Sequence, residues 1–122
     1  MIIEENASLR SMIRSVLELG HAEILEAGNA SQAIGMLGSS HPDWVIVDMT
    51  ASEGDGLAVT ERLKKFHPQT KVMLVADADS LALRQKARQF GIGGILVKET
   101  LFQDLARTNF QLHENVRKDV KG

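Results

Sequence analysis

The sequence predicts an α/β protein, a parallel sheet covered by helices, and three observations carry that prediction. Short apolar runs alternate with segments of helical period along the whole length, the pattern of repeated βα units. The run Trp44-Val45-Ile46-Val47 is continuously apolar and ends in Asp48, as in a central strand buried on both faces that delivers a polar side chain at its carboxyl end. Glycine or His-Pro follows most helical segments, where a helix must stop. With 122 residues, 43% of them hydrophobic, the chain is long enough to bury one core, so a single domain over 1–122 is expected.

Five units can be read in order. The first strand is Met1 to Ile3, short for a strand, and a helix from about Ser8 to Leu19 sets Leu9, Met12, Ile13, Val16 and Leu17 on one face. The second strand is expected over Ala22 to Glu26. The second helix runs from Ala30 to Leu37, turns Ala33, Ile34 and Leu37 inward and ends at Gly38. Asn6 and Asn29 sit where helix caps belong, and Gln32 completes a capping box with Asn29. After the Trp44–Val47 strand and a glycine-bearing loop from Met49 to Gly56, a helix covers Leu57 to Phe66 and is stopped by His67-Pro68. Val72 to Val75 is the fourth strand, Leu81 to Phe90 the fourth helix, and Ile95 to Val97 the fifth strand. A last helix from Leu101 to about Val116 faces Leu101, Leu105, Leu112 and Val116 inward, and the tail 117–122 is expected to fray.

Composition narrows the function. With 14 basic and 16 acidic residues, a net charge of -2 and no long block of either sign, no basic surface for nucleic acid is expected. The absence of cysteine excludes disulfides, thiolate metal sites and cysteine nucleophiles. No apolar run approaches the roughly 20 residues of a membrane helix, and the N-terminal residues lack a targeting pattern, so no membrane association and a cytoplasmic location are the expectation. The four histidines lie far apart in sequence with no metal-ligand spacing.

In an open parallel sheet, ligands bind outside the carboxyl ends of the strands where the strand order reverses. Those ends carry Glu4-Glu5, Asp48, Asp77 and Lys98-Glu99. Carboxylates in such a cluster suit a hard divalent cation such as Mg²⁺. A lysine opposite them suits a phosphoryl oxygen. One carboxylate, its charge offset by metal, can attack phosphorus to give an acyl phosphate. The plain alternative is that acidic strand ends are only polar loop starts.

With these residues in view, the whole chain resembles the receiver domains of response regulators in bacterial two-component systems. The resemblance is carried by Glu4-Glu5, by Asp43-Trp44-Val45-Ile46-Val47-Asp48, by the Asp55-Gly56 that closes the following loop, and by Gly91-Ile92-Gly93-Gly94-Ile95-Leu96-Val97-Lys98. It implies a flavodoxin-like, doubly wound (βα)5 sheet in the order 2-1-3-4-5, in three α/β/α layers. It implies that Asp48 accepts phosphate from a sensor histidine kinase or phosphotransfer protein and that Lys98 contacts the phosphoryl group. It also implies that Glu4, Glu5, Asp48 and the Thr50 backbone carbonyl hold Mg²⁺. Apart from phosphorylating and dephosphorylating itself, such a domain is not an enzyme; it signals to a downstream protein or output domain. The surface of the fourth helix, fifth strand and last helix, with Arg84, Lys86, Arg88, Asp104 and Arg107 around Ile95, would be the partner or homodimer face.

Several positions depart from the family pattern. The acidic pair is usually dominated by aspartate, so Glu4-Glu5 weakens the expected Mg²⁺ geometry. The hydroxyl residue at the end of strand four is Ala76, and the aromatic switch residue of strand five is Ile95. Asp77 stands where small residues are usual and would either add a metal ligand or repel the phosphoryl donor. Ser52 and Glu99 replace common prolines. These departures favour a second function, a pseudo-receiver that works as an interaction or dimerisation module without phosphorylation. A flavodoxin would need a phosphate-cradling loop after strand one, and a haloacid-dehalogenase-type phosphatase a second aspartate at position 50, where Thr50 stands.

Overall fold

The computed structural model of the chain describes residues 1–20, 23–49 and 56–107. Within them the elements are β1 (Ile2–Ile3), α1 (Ala7–Glu18), β2 (Glu26–Ala27), α2 (Ala30–Leu37), β3 (Trp44–Asp48), α3 (Gly56–Phe66), β4 (Lys71–Ala76), α4 (Leu81–Gln89) and β5 (Gly94–Val97). A 3-10 turn over Lys98–Thr100 leads into a helix, α5, over residues 101–107. The expected continuation of that helix to Val116, and the tail, lie outside the described residues.

The five strands form one sheet in the order β2-β1-β3-β4-β5, and every neighbouring pair is parallel. Alternation along the strands divides the core into two layers. Val45, Val47, Val72, Leu74 and Ala76 meet Ala33 and Leu37 of α2, Leu57 and Leu63 of α3 and Leu83 of α4. Ile46, Met73 and Val75 face the other way, onto Ile13 and Val16 of α1 and Leu101 and Leu105 of α5.

Both expected asparagine caps form. Asn6 Oδ1 accepts from Leu9 N at 2.9 Å, so α1 begins one residue before the predicted Ser8. Asn29 Oδ1 accepts from Gln32 N, and Gln32 reaches back to accept from Gly28 N at 2.7 Å, a variant of the capping box. Gly91, at φ 74, supplies the left-handed turn that ends the α4 segment.

The second strand is the largest difference from the sequence-based expectation of Ala22 to Glu26. An edge strand extends only as far as its partner: Ile2 and Ile3 pair with Glu26 and Ala27, and Ile2 N donates to Leu25 O at 2.8 Å. The apolar pair Ile24-Leu25 therefore leads into the strand, and Ile24 packs against the α1–α5 core layer. The first strand is two residues long, but the pairing with β3 continues through Met1, whose carbonyl accepts from Ile46 N at 2.9 Å. Among the described residues no helix is long and apolar enough to cross a membrane.

Candidate functional site

β3 is paired on both sides, and its last residue, Asp48, is held at the carboxyl edge with only 5% of its surface exposed. The backbone behind it is pinched. Met49 N donates to Val75 O and Gly56 N donates to Met49 O, both at 2.8 Å, which returns the chain to α3 directly behind the aspartate. A Cβ on Gly56 would lie 2.7 Å from the Asp48 carbonyl oxygen and 2.8 Å from Met49 Cα, so only glycine fits there. Thr60 Oγ1 donates to Gly56 O at 2.7 Å and pins the start of α3. The glycine eight residues after Asp48 thus has a steric reason.

Glu4 leaves β1 on the same edge, 3% exposed. Its Oε1 accepts from Asn6 N at 3.0 Å, whereas its buried Oε2 receives no hydrogen bond. The Asp48 carboxyl faces it, so with both groups ionised two acceptors confront each other in a poorly solvated place. Burial first, and the neighbouring Asp48 second, push the Glu4 carboxyl up to about 7, against the opposing Asn6 N–H and the Lys98 charge. A proton between the two carboxyls, or a cation, supplies what Oε2 lacks. Glu5, the next residue, is exposed.

Lys98 follows β5, and its Nζ lies 3.3 Å from Asp48 Oδ2 and 3.3 Å from Asp77 Oδ1. Burial alone would lower its pKa, but the two carboxylates outweigh that and hold it above the ordinary lysine value. Ala76, at the end of β4, is buried and offers no hydroxyl to the pocket. Ile95 is half-buried and packs against the same core layer as Ala76.

The fold therefore brings together Glu4, Asp48 and Lys98 and sets Ala76 beside them, as the sequence suggests. Thr50 lies outside the described residues. No group of three or more metal-ligating side chains occurs among the described residues. The orphaned Glu4 Oε2 beside Asp48 nonetheless suits a hard cation, which takes carboxylate oxygens. Two features escaped the sequence reading. Period-two alternation past β1 separates Glu4 from Glu5, a signal available in principle but obscured by so short a strand. The other is the pairing of Asp77 with Lys98, which no local pattern signals. Trp44 starts the strand that Asp48 ends and so lies about 13 Å from it, four residues at about 3.3 Å each.

A family model described as "Response regulator receiver domain" matches residues 1–108. Among curated proteins, the chain is 27% identical over 99 residues to "Chemotaxis protein CheY" of Bacillus subtilis, covering 80% of this chain and 82% of that protein. It is 26% identical over 98 residues to "Regulator of RpoS" of Escherichia coli, covering 80% of this chain and only 29% of that longer protein. Among solved structures, a CheY-like receiver domain protein from Methanospirillum hungatei superposes with a TM-score of 0.83 at 17% identity, covering 97% of this chain and 94% of that one. The isolated receiver domain of RcsB from Salmonella enterica, determined with the phosphomimetic BeF3-, gives a TM-score of 0.81 at 19% identity over 93% of this chain and 86% of that chain. These structural likenesses establish the fold.

Proposed function

This chain belongs to the response regulator receiver domain family, and from that membership we propose that it accepts a phosphoryl group on Asp48 from a histidine kinase or phosphotransfer protein. Receivers are in general signalling modules rather than enzymes, acting between such donors and an output. The observation that carries the reading is the buried Asp48 at the strand tip, ion-paired at 3.3 Å to Lys98 and facing Glu4.

The step is a phosphoryl transfer. A carboxylate oxygen of Asp48 attacks phosphorus, the bond from phosphorus to the donor imidazole nitrogen breaks, and the imidazole leaves with the electron pair. The product is an acyl phosphate. Lys98 is positioned to turn from the carboxylate to a phosphoryl oxygen and offset its charge. Glu4, Glu5, Asp48 and the Thr50 carbonyl would hold Mg²⁺, which when bound supplies charge neutralisation for the incoming anion. Burial beside Glu4 keeps the attacking Asp48 carboxylate in a confined, nearly dry position. Output would pass through the face of α4, β5 and α5, where Arg84, Lys86, Arg88 and Arg107 are exposed and Asp104 is half-buried.

The second reading, a phosphorylation-independent interaction module, is favoured by Ala76 and Ile95, which remove the hydroxyl and the ring of the usual coupled switch. Titration of the protein with Mg²⁺ and beryllium fluoride, followed by amide NMR, separates the two. Mg²⁺-dependent shifts clustered at Asp48, Lys98 and β5 support the phosphorylatable receiver, and their absence at saturating mimic supports the interaction module.

A further inference from the structure

Asp77 is a carboxylate at this edge that the proposed transfer does not use, and it pairs with Lys98. It follows directly on β4, its side chain is 75% exposed, and its Oδ1 is as close to Lys98 Nζ as Asp48 is, 3.3 Å in each case. Lys98 is itself only 32% exposed, so its ammonium lies between a buried carboxylate behind and an exposed one in front. An ammonium has three donors and no fixed direction, and it divides them among the anions within reach.

We propose that Asp77 is an internal rival for Lys98, a positioning residue that weakens the hold of the site on any phosphoryl-like anion bound at Asp48. The inference rests on the receiver reading above. An incoming phosphoryl group carries up to two negative charges and needs the ammonium that Asp77 shares. Asp77 also presents a like charge to it at the pocket mouth, so both effects have the same sign. Because Asp77 is largely in water, the pair with Lys98 is weak enough to break, and Asp77 acts as a competitor rather than a lock. The alternative role for Asp77, a further metal ligand, predicts the opposite sign.

The test compares the full chain with Asp77→Ala, Asp77→Asn and, as a control for a nearby exposed charge that does not pair with Lys98, Glu99→Gln. Each is titrated with beryllium fluoride at saturating Mg²⁺ and read by amide NMR. The two Asp77 variants should bind about two- to fivefold more tightly than the parent, the span of an exposed ion pair. The advantage should shrink as salt screens that pair, while Glu99→Gln binds like the parent and all four proteins share one melting temperature. Equal or weaker binding by the Asp77 variants, or an equal gain in Glu99→Gln, overturns the claim while leaving the receiver reading intact. If the parent and every variant ignore the mimic and take no label from acetyl phosphate, the receiver reading itself fails and this inference falls with it.

Discussion

The carboxyl edge of the sheet carries charge at its strand tips, whereas the positions just behind the tips of β4 and β5 are hydrocarbon. At β1 and β3 the chain places Glu4 and Asp48, both nearly buried, and burial together with the neighbouring Asp48 pushes the Glu4 carboxyl up to about 7. At the end of β4 and within β5, where a receiver ordinarily couples a hydroxyl to a ring, it places Ala76 and Ile95, which pack into the core layer beneath α3 and α4. The contrast teaches that capturing an anion and relaying its arrival need different chemistry. The first needs charges fixed in a low dielectric. The second needs a polar side chain with two places to go. The residues of this chain suit the first and lack the hydroxyl and ring of the second.

The charged pocket should show its largest effect at Glu4. The Glu4 carboxyl is raised from 4.5 to about 7 in the folded protein, so between those values the folded state holds a proton that the unfolded chain releases. The associated stability is fully present below pH 4.5 and is lost as pH rises through about 7. Glu4→Gln, whose amide can donate to Asp48 as the protonated acid does, should flatten that part of the pH profile. It should leave the protein on the order of 2–3 kcal/mol more stable at pH 8, with no difference at pH 4. Chemical denaturation across that range checks it; parallel profiles for parent and variant would show that the two carboxyls do not share a dry site.

Next comes the backbone that holds Asp48. Gly56→Ala drives a methyl into the Asp48 carbonyl and Met49 Cα. It should cost about 1–3 kcal/mol and displace the Asp48 amide resonance. Glycine and alanine variants with equal melting temperatures would mean that the pinch is not needed.

On the apolar side, Ala76→Thr should restore a donor to the pocket and tighten beryllium fluoride binding about tenfold, the equivalent of roughly 1.4 kcal/mol from one charge-assisted hydrogen bond. No gain would mean that the missing hydroxyl is not what weakens the hold of the pocket on an anion. The smallest effect concerns the exposed face of α4 and α5. Arg88→Glu with Arg107→Glu should change stability by no more than about 0.5 kcal/mol while reducing self-association or partner capture, measured by sedimentation and pull-down. Sedimentation and capture unchanged from the parent would leave that face as ordinary solvated charge.

The parts of the fold legible in the sequence are those whose signal is local. The continuous apolar run before Asp48 and the apolar Val72–Val75 segment marked β3 and β4, and the asparagine caps marked the starts of α1 and α2 to within a residue. β2 was read too early because its length is set by a two-residue partner, which no local pattern reveals. The pocket was legible in its residue types and not in its pairings. Glu4 and Glu5 are equivalent in sequence, yet one is buried against Asp48 and the other exposed. Asp77 read as a metal ligand or a source of repulsion, because its 3.3 Å approach to Lys98 depends on how the ends of β4 and β5 align.

The central claim is that Asp48 is the nucleophile, and intact-mass measurement with peptide mapping after incubation with Mg²⁺ and acetyl phosphate or the cognate kinase tests it most directly. One phosphoryl group per chain is expected, mapped to Asp48, sensitive to hydroxylamine, absent in Asp48→Asn and reduced in Lys98→Ala. An unlabelled parent, or a label that persists at another residue in Asp48→Asn, would contradict it.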